Sequence, residues 1–298
     1  MTVEALAPHG FCQGVVQAVQ QAEAALAEGP LFCLHPPIHN ESVCAALVAK
    51  GLRPVASLAE IPAGGRVLLS AHGTRPAIRA AAQRRGLSIV DATCPFVARL
   101  HLQARTFAAQ GVPVIIIGHA GHVEVEGLVG EVEAAGGTCA VVASESDLAD
   151  LPFTRATAVG ALCQTTFDGE AAAQLLATLS ARCPQLRRPA AAAICTATRD
   201  RQEAVRAFVR HGGDGVLVLG SAESSNTRRL AEVACLAGAR RVVRAATLDE
   251  VAASDFGGIS RMGVTAGAST PETFFQSVLS FLGKRGIMSM SKQGGQQQ

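Results

Sequence analysis

Short apolar blocks without alternation recur along the chain, and each is followed by a stretch whose apolar positions return every three or four residues. Residues 66–70, 112–117, 156–162, 190–194, 215–219 and 262–265 are such blocks, and 3–7, 31–35, 87–90, 140–143 and 241–244 are weaker ones. They predict strands. Between the blocks at 3–7 and 31–35, residues 14–28 repeat Val15, Val16, Val19, Ala22 and Leu26 near a helical period and predict a helix. Further helices are expected from Asn40 or Ser42 to Lys50, after Thr74, and over 96–109 with Leu100 and Leu102 inward. Others are expected over 171–179, from a capping box at Asp200 and Glu203 to residue 209, up to Leu236, and after Thr270 with Pro271 in the first turn. Continuous apolar strands alternating with helices mean small parallel sheets covered on both faces, an α/β fold.

The ends of the strands carry the chemistry. Three lone cysteines stand where a strand gives way to a helix: Cys12 in Gly10-Phe11-Cys12-Gln13-Gly14, Cys94 in Asp91-Ala92-Thr93-Cys94-Pro95, and Cys195 in Ala193-Ile194-Cys195-Thr196-Ala197. There is no CxxC pair, and each cysteine falls in its own third of the chain. Three thiols from separate segments suggest one centre at which they meet. The chain has nine cysteines, an odd count that argues against a disulfide framework. Cys33, Cys44, Cys139, Cys163, Cys183 and Cys235 read as small buried apolar residues.

Other strand-end loops are small, polar and glycine-rich: His72-Gly73, His122 with Glu124, Thr165-Thr166, Ser224-Ser225-Asn226, and Ser269. Backbone N–H groups with Ser, Thr, Asn and His donors at helix starts make an anion site. No GxxxxGK[ST] and no GxGxxG after a strand is present, so a small phosphorylated metabolite fits better than a nucleotide. His119, His122, Glu124 and Glu126 also form a dense group that could take zinc. Three thiolates instead favour an iron–sulfur cluster with one iron open to substrate. The residues by themselves leave both readings open.

Composition narrows the class. Of 298 residues, 49% are hydrophobic and 17% charged, so a large core is expected. The net charge of +2 and the absence of Trp and Tyr give no case for nucleic acid. Arginines such as Arg199, Arg201, Arg206, Arg210, Arg228 and Arg229 read as solvated faces. No apolar run is long enough for a membrane span, and the start lacks a signal-peptide pattern, so a cytoplasmic protein is expected. The Ser-, Gly- and Gln-rich tail after Gly286 is expected to be disordered.

Taken together, the motifs resemble a known family. They are Phe11-Cys12-Gln13-Gly14-Val15, Ile38-His39-Asn40, Ser70-Ala71-His72-Gly73, Asp91-Ala92-Thr93-Cys94-Pro95, the run from Gly118 to Gly127, Gln164-Thr165-Thr166, Ser224-Ser225-Asn226 and the run from Gly263 to Ser269. In this order they are similar to the 4-hydroxy-3-methylbut-2-enyl diphosphate reductases, the IspH/LytB family. The resemblance implies three similar α/β domains around a central [4Fe-4S] cluster, with boundaries at 13–94, 95–191, and 1–12 joined to 192–284, and a tail at 285–298. It implies a reductive dehydroxylation that ends the non-mevalonate isoprenoid pathway and gives isopentenyl and dimethylallyl diphosphate. Carried over by position, Cys12, Cys94 and Cys195 would ligate the cluster. His39, His72, His122, Ser224, Ser225, Asn226 and Ser269 would hold the diphosphate of the allylic substrate. Glu124 would supply the proton and Thr165 would bind the substrate hydroxyl. A ferredoxin or flavodoxin would be the electron donor. Departures from the family pattern lie at His9, at Gln13 and in Thr196-Ala197-Thr198-Arg199-Asp200-Arg201-Gln202, where an aromatic residue and a Thr-Thr-Asn-Arg-Gln run are usual. The chain also stops soon after the last expected helix, where many members continue. The alternatives are a non-catalytic relative that senses through a cluster or binds diphosphates, and a zinc hydrolase using His119 and His122.

Overall fold

The computed structural model describes residues 1–149, 151, 157–188 and 194–284. The tail and most of the expected strand at 190–194 lie outside the described residues; Ile194 and Cys195 are not in a strand. In chain order, β1 (Thr2–Ala5) leads to α1 (Gln13–Ala27), β2 (Leu31–Cys33), α2 (Glu41–Ala49), β3 (Leu52–Pro54), β4 (Arg66–Leu69), α3 (Pro76–Arg84) and β5 (Ser88–Asp91). Next come α4 (Pro95–Ala109), β6 (Val114–Ile117), α5 (Val123–Ala134), β7 (Cys139–Val142), α6 (Glu145–Ala149), β8 (Val159–Cys163), α7 (Gly169–Arg182) and β9 (Leu186–Arg187). The last block is α8 (Thr196–Arg210), β10 (Gly215–Leu219), α9 (Ser225–Leu236), β11 (Arg241–Ala245), α10 (Leu248–Ala253), β12 (Arg261–Ala266) and α11 (Glu272–Lys284).

The chain divides into two compact units, Met1–Cys12 with Thr196–Gln298, and Gln13–Cys195. The first holds a sheet of order β1-β12-β10-β11; the second holds β3-β2-β4-β5 and β7-β6-β8-β9. Every strand pairing is parallel.

Parallel pairing explains why the strands read as unbroken apolar runs. In β6 all four residues are buried, and they feed alternate cores. Ile115 and Ile117 pack toward Leu175 and Leu179 of α7, while Val114 and Ile116 pack toward α4 and α5 through Leu100 and Leu128. β10 does the same in its sheet, with Leu217 and Leu219 on the α11 side and Val216 and Val218 on the side of α8 and α9. The short strands β3 and β9 sit at sheet edges, where few apolar residues are needed, and the hydrophobic pattern misses them.

Several local expectations are corrected. Leu100 is buried but Leu102 is 53% exposed, because two residues advance about 200° around a helix and reverse the face. Helix α8 begins at Thr196, so Asp200 lies inside it and pairs with Arg199 at 3.1 Å rather than capping. Thr270 does not cap α11; its hydroxyl donates to the Leu219 carbonyl at 3.0 Å. Arg201 and Arg206 are buried, not solvated. Among the cysteines read as buried, Cys33, Cys163 and Cys183 are so, whereas Cys44 and Cys139 are half-buried and Cys235 is exposed. Among the described residues no helix is long and apolar enough to cross a membrane.

Candidate functional site

In the unit of residues 13–195, three histidines gather from three loops. His39 precedes α2, whose N-cap Asn40 accepts from Val43 N at 3.0 Å. His72 follows β4, and the two loops are tied where Ala71 N donates to Pro37 O at 3.0 Å. His122 is the N-cap of α5; its Nδ1 accepts from Glu124 N at 3.2 Å, which puts the proton of a neutral ring on Nε2. Ring centroids are 4.2 Å apart for His39 and His72, 5.9 Å for His39 and His122, and 6.1 Å for His72 and His122. All three Nε2 atoms are buried. Burial, and then the charges that His39, His122 and His35 would carry, hold His72 well below the ordinary histidine value of 6.5. The site is therefore an imidazole nest, with His72 held neutral, beside two helix N-termini, the end of a helix that suits an anion.

That electrostatic state has a measurable consequence. An unfolded chain takes up the His72 proton before the folded one does, so stability falls as pH drops below about 6.5. A bound diphosphate opposes this, because its charge favours the protonated rings. Above the depressed His72 value, binding inorganic diphosphate is expected to take up a proton and to tighten by up to about tenfold per pH unit lowered. Titration calorimetry in buffers of different ionisation enthalpy measures both; a pH-independent affinity without proton uptake would refute the prediction.

Glu124 lies in the first turn of α5 and is 1% exposed. Thr165, in the loop after β8, donates to it twice, from N to Oε1 at 2.7 Å and from Oγ1 to Oε2 at 2.8 Å. Burial raises the carboxyl from 4.5 to about 7, the Thr165 hydrogen bonds and the His101 charge opposing it only in part. The difference is worth roughly 3 kcal/mol in favour of the protonated form. A carboxyl that holds its proton near neutrality, beside an anion nest, can act as a general acid. Gln164 braces the same loop: its Oε1 accepts from His119 N at 2.9 Å and its Nε2 donates to Thr166 Oγ1 at 2.8 Å.

His119 and His122 do not act as a pair. The His119 ring packs on Phe167 at 5.2 Å, while His122 faces His39 and His72. Among the described residues no group of three His, Cys, Asp or Glu side chains could hold a single metal ion. A cluster makes a different demand, since each thiolate binds its own iron.

The three cysteines proposed as ligands each stand just before a helix. Cys94 is the N-cap of α4 with Pro95 at its first position, and Cys12 and Cys195 directly precede α1 and α8. None of the three is in a disulfide, and all three are half-buried. By contrast, burial pushes the Cys33 thiol up to about 11 and the Cys163 thiol up to about 12, so both stay protonated and make poor ligands. Cys94 Sγ also has room that only a glycine leaves: a Cβ on Gly14 would lie 2.5 Å from it.

In the unit of residues 1–12 and 196–298, Ser224 caps α9 by accepting from Thr227 N at 3.3 Å. Asn226 Oδ1 accepts from Ala268 N at 3.0 Å and its Nδ2 donates to Thr198 Oγ1 at 3.3 Å. Ala268 O accepts from Cys12 N at 3.0 Å, so Asn226, the loop carrying Ser269 and the Cys12 segment are one hydrogen-bonded assembly. Ser224, Ser225, Asn226 and Ser269 are all buried. Arg201 was not recognisable as part of this assembly. Its guanidinium donates to Gly10 O at 2.7 Å, Ala197 O at 2.9 Å and Ala266 O at 3.2 Å, holding the backbone two residues before Cys12.

Parallel α/β sheets whose strand-end loops carry an imidazole nest, a sealed acid and half-buried thiols define an enzyme-like protein of anion chemistry. The match to the LytB protein family model runs over residues 3–283. The chain belongs to the LytB family. The 4-hydroxy-3-methylbut-2-enyl diphosphate reductase of Rhodopirellula baltica is 39% identical over 284 residues, 95% of this chain and 88% of that protein. The protein of the same name from Haemophilus influenzae is 38% identical, covering 97% and 92%. Among solved structures, the E-1-hydroxy-2-methyl-but-2-enyl-4-diphosphate reductase from Plasmodium falciparum is similar with a TM-score of 0.91 and 28% identity, over 98% of this chain and 91% of that one. A structure described as (E)-4-hydroxy-3-methyl-but-2-enyl diphosphate reductase, the terminal enzyme of the non-mevalonate pathway, is similar with a TM-score of 0.65 and 29% identity, over 95% of this chain and 100% of that one.

Proposed function

We propose that this chain is a cytoplasmic iron–sulfur reductase that converts (E)-4-hydroxy-3-methylbut-2-enyl diphosphate to isopentenyl and dimethylallyl diphosphate. The observation that carries the reading is Glu124: a fully buried carboxyl raised to about 7, one residue pair away from the His122 that caps its helix. The names of the relatives supply the substrate.

Cys12, Cys94 and Cys195 would hold a [4Fe-4S] cluster, which when bound supplies electrons and a Lewis acid for the substrate oxygen. His39, His72 and His122 bind the diphosphate with Nε2 donors, joined by Ser224, Ser225, Asn226 and Ser269. Thr165 Oγ1 spends its proton on Glu124 and keeps lone pairs to accept from the substrate hydroxyl. Glu124 holds the proton that leaves with the hydroxyl as water. Its burial keeps bulk water from discharging it. Each sheet with its helices forms one domain, at 13–94, 95–191, and 1–12 with 192–284. A ferredoxin or flavodoxin delivers the electrons.

The test is anaerobic purification followed by turnover with a reduced ferredoxin or flavodoxin. The protein is expected to be brown, with broad absorption near roughly 400 nm from sulfur-to-iron charge transfer, and to release both isoprenoid diphosphates. Colourless protein holding stoichiometric zinc, or a brown protein that binds the allylic diphosphate without converting it, refutes the reading.

A further inference from the structure

Helices α4 and α5 enclose a polar pair that the assignments above leave unused. His101 and Glu131 are each 8% exposed, and His101 Nδ1 lies 3.1 Å from Glu131 Oε1. Arg105, one turn along α4, approaches Glu131 Oε2 at 3.6 Å. Two glycines make room for the ring. A Cβ on Gly127 would lie 2.8 Å from His101 Cε1 and 2.9 Å from Nε2, and a Cβ on Gly73, the residue after His72, would collide with Nε2 as well. That Nε2 is buried and has no hydrogen-bond partner among the described residues.

The placement follows α5. Gly127 is three residues past Glu124, and Glu131 four past Gly127, so all three share one helix face. The His101 ring fills the notch between the sealed acid and Glu131. On its outer side lies a half-open cavity of about 190 Å³, lined by His101, Glu131, Arg105, Arg79, Asp91 and Thr93. Solution therefore reaches the pair but not Glu124.

We propose that His101, clamped by Glu131, is a positioning residue that tunes the proton affinity of Glu124. The proposal deepens the reading of Glu124 as the proton source and rests on it. An imidazolium in the Gly127 notch stabilises the Glu124 carboxylate; an uncharged group there leaves only the Thr165 hydrogen bonds to oppose burial, so the proton is held more tightly. The direction agrees with the opposition of the His101 charge to the burial of Glu124. The charged groups around the ring are Glu131 from α5, Arg105 from α4, and the Arg79–Asp91 pair, joined at 2.5 Å, across the cavity, with Glu124 one helical turn before Gly127. Arg75 turns instead to Glu126 and Glu133.

The test follows the protonated-carboxyl stretch of Glu124 by infrared titration of the full, iron-loaded protein, the band being assigned by its loss in Glu124→Gln. His101→Gln keeps a donor toward Glu131 but carries no charge. Its carboxyl band is expected to persist to higher pH by about one pH unit, with the alkaline limb of turnover moving equally. Gly127→Ala, which drives the ring from the notch, is expected to move both in the same direction. Should His101→Gln fold poorly, Gly127→Ala decides. An unchanged band midpoint in either folded variant, or a change confined to Tm or KM, overturns the proposal. Unchanged turnover in Glu124→Gln strikes the proton-source reading instead, and the band midpoints still decide whether His101 governs this carboxyl.

Discussion

Glu124→Gln lowers kcat by about 10²–10⁴-fold and leaves KM within roughly threefold, the loss expected when a general acid is removed without disturbing binding. The substitution is nearly isosteric. Gln Oε1 can still accept from Thr165 N, and Gln Nε2 can donate to Thr165 Oγ1, so the loop after β8 keeps its anchor. Nothing in the imidazole nest changes, and His122 Nδ1 still receives the N–H of residue 124. The pH profile separates this from a general weakening. With Glu124 as the proposed proton source, wild-type turnover is expected to fall as pH rises through about 7, the value to which burial lifts Glu124. An ordinary carboxyl would already have lost its proton above about 4.5. In the Gln variant that alkaline limb is expected to vanish from the residual rate. A variant with wild-type kcat, or one that retains the limb, removes Glu124 from the role.

Gly14→Ala is the second substitution with a large expected effect, and it adds only a methyl group. That methyl would stand 2.5 Å from Cys94 Sγ and 3.2 Å from Cys94 Cβ, closer than real carbon and sulfur atoms approach. One of the two has to move. Cys94 cannot shift freely: its N donates to Ala71 O at 3.0 Å, its O accepts from Ala98 N at 2.9 Å, and Pro95 fixes the first turn of α4. The thiol is thus expected to rotate or the start of α1 to be displaced. Either outcome is expected to lower affinity for the proposed cluster by about 10–100-fold, the range found when the support of a metal ligand is disturbed. Iron content and visible absorption after anaerobic reconstitution measure this, with unchanged far-ultraviolet circular dichroism as the control for folding. Full iron occupancy would show that Cys94 Sγ does not need the space Gly14 leaves.

The parts of the site that could be read in advance share a reason. The residues proposed to touch a ligand sit in loops at the ends of strands, where small polar residues and glycines break an apolar pattern. Cys94, His72, His122, Thr165, Ser224 and Ser269 all announce themselves in that way. His101 did not. It occupies a core-facing position of α4 with Val97, Leu100 and Ala104, and a single histidine in an apolar stripe is indistinguishable from a satisfied core residue until its notch is known. The notch is made by Gly73 and Gly127, which no local pattern brings to it. Arg201 was misread for a related cause. Its helix spacing looks like a solvated face, yet its guanidinium reaches the Gly10 carbonyl, 191 residues away in the chain.

The amino-acid sequence by itself determined the fold class, the alternation of strand and helix, three cysteines placed just before helices and the chemical character of the loops. Those features depend on local periodicity and residue type, which a chain carries openly. Tertiary structure decided how each polar group behaves. Whether Glu124 is an ordinary carboxylate or a neutral acid rests on its 1% exposure and on Thr165, 41 residues distant. Whether His72 is a cation or a neutral donor rests on burial beside two other imidazoles. Proton affinity depends on desolvation and on charges brought close in space, and neither is a property of neighbours in sequence.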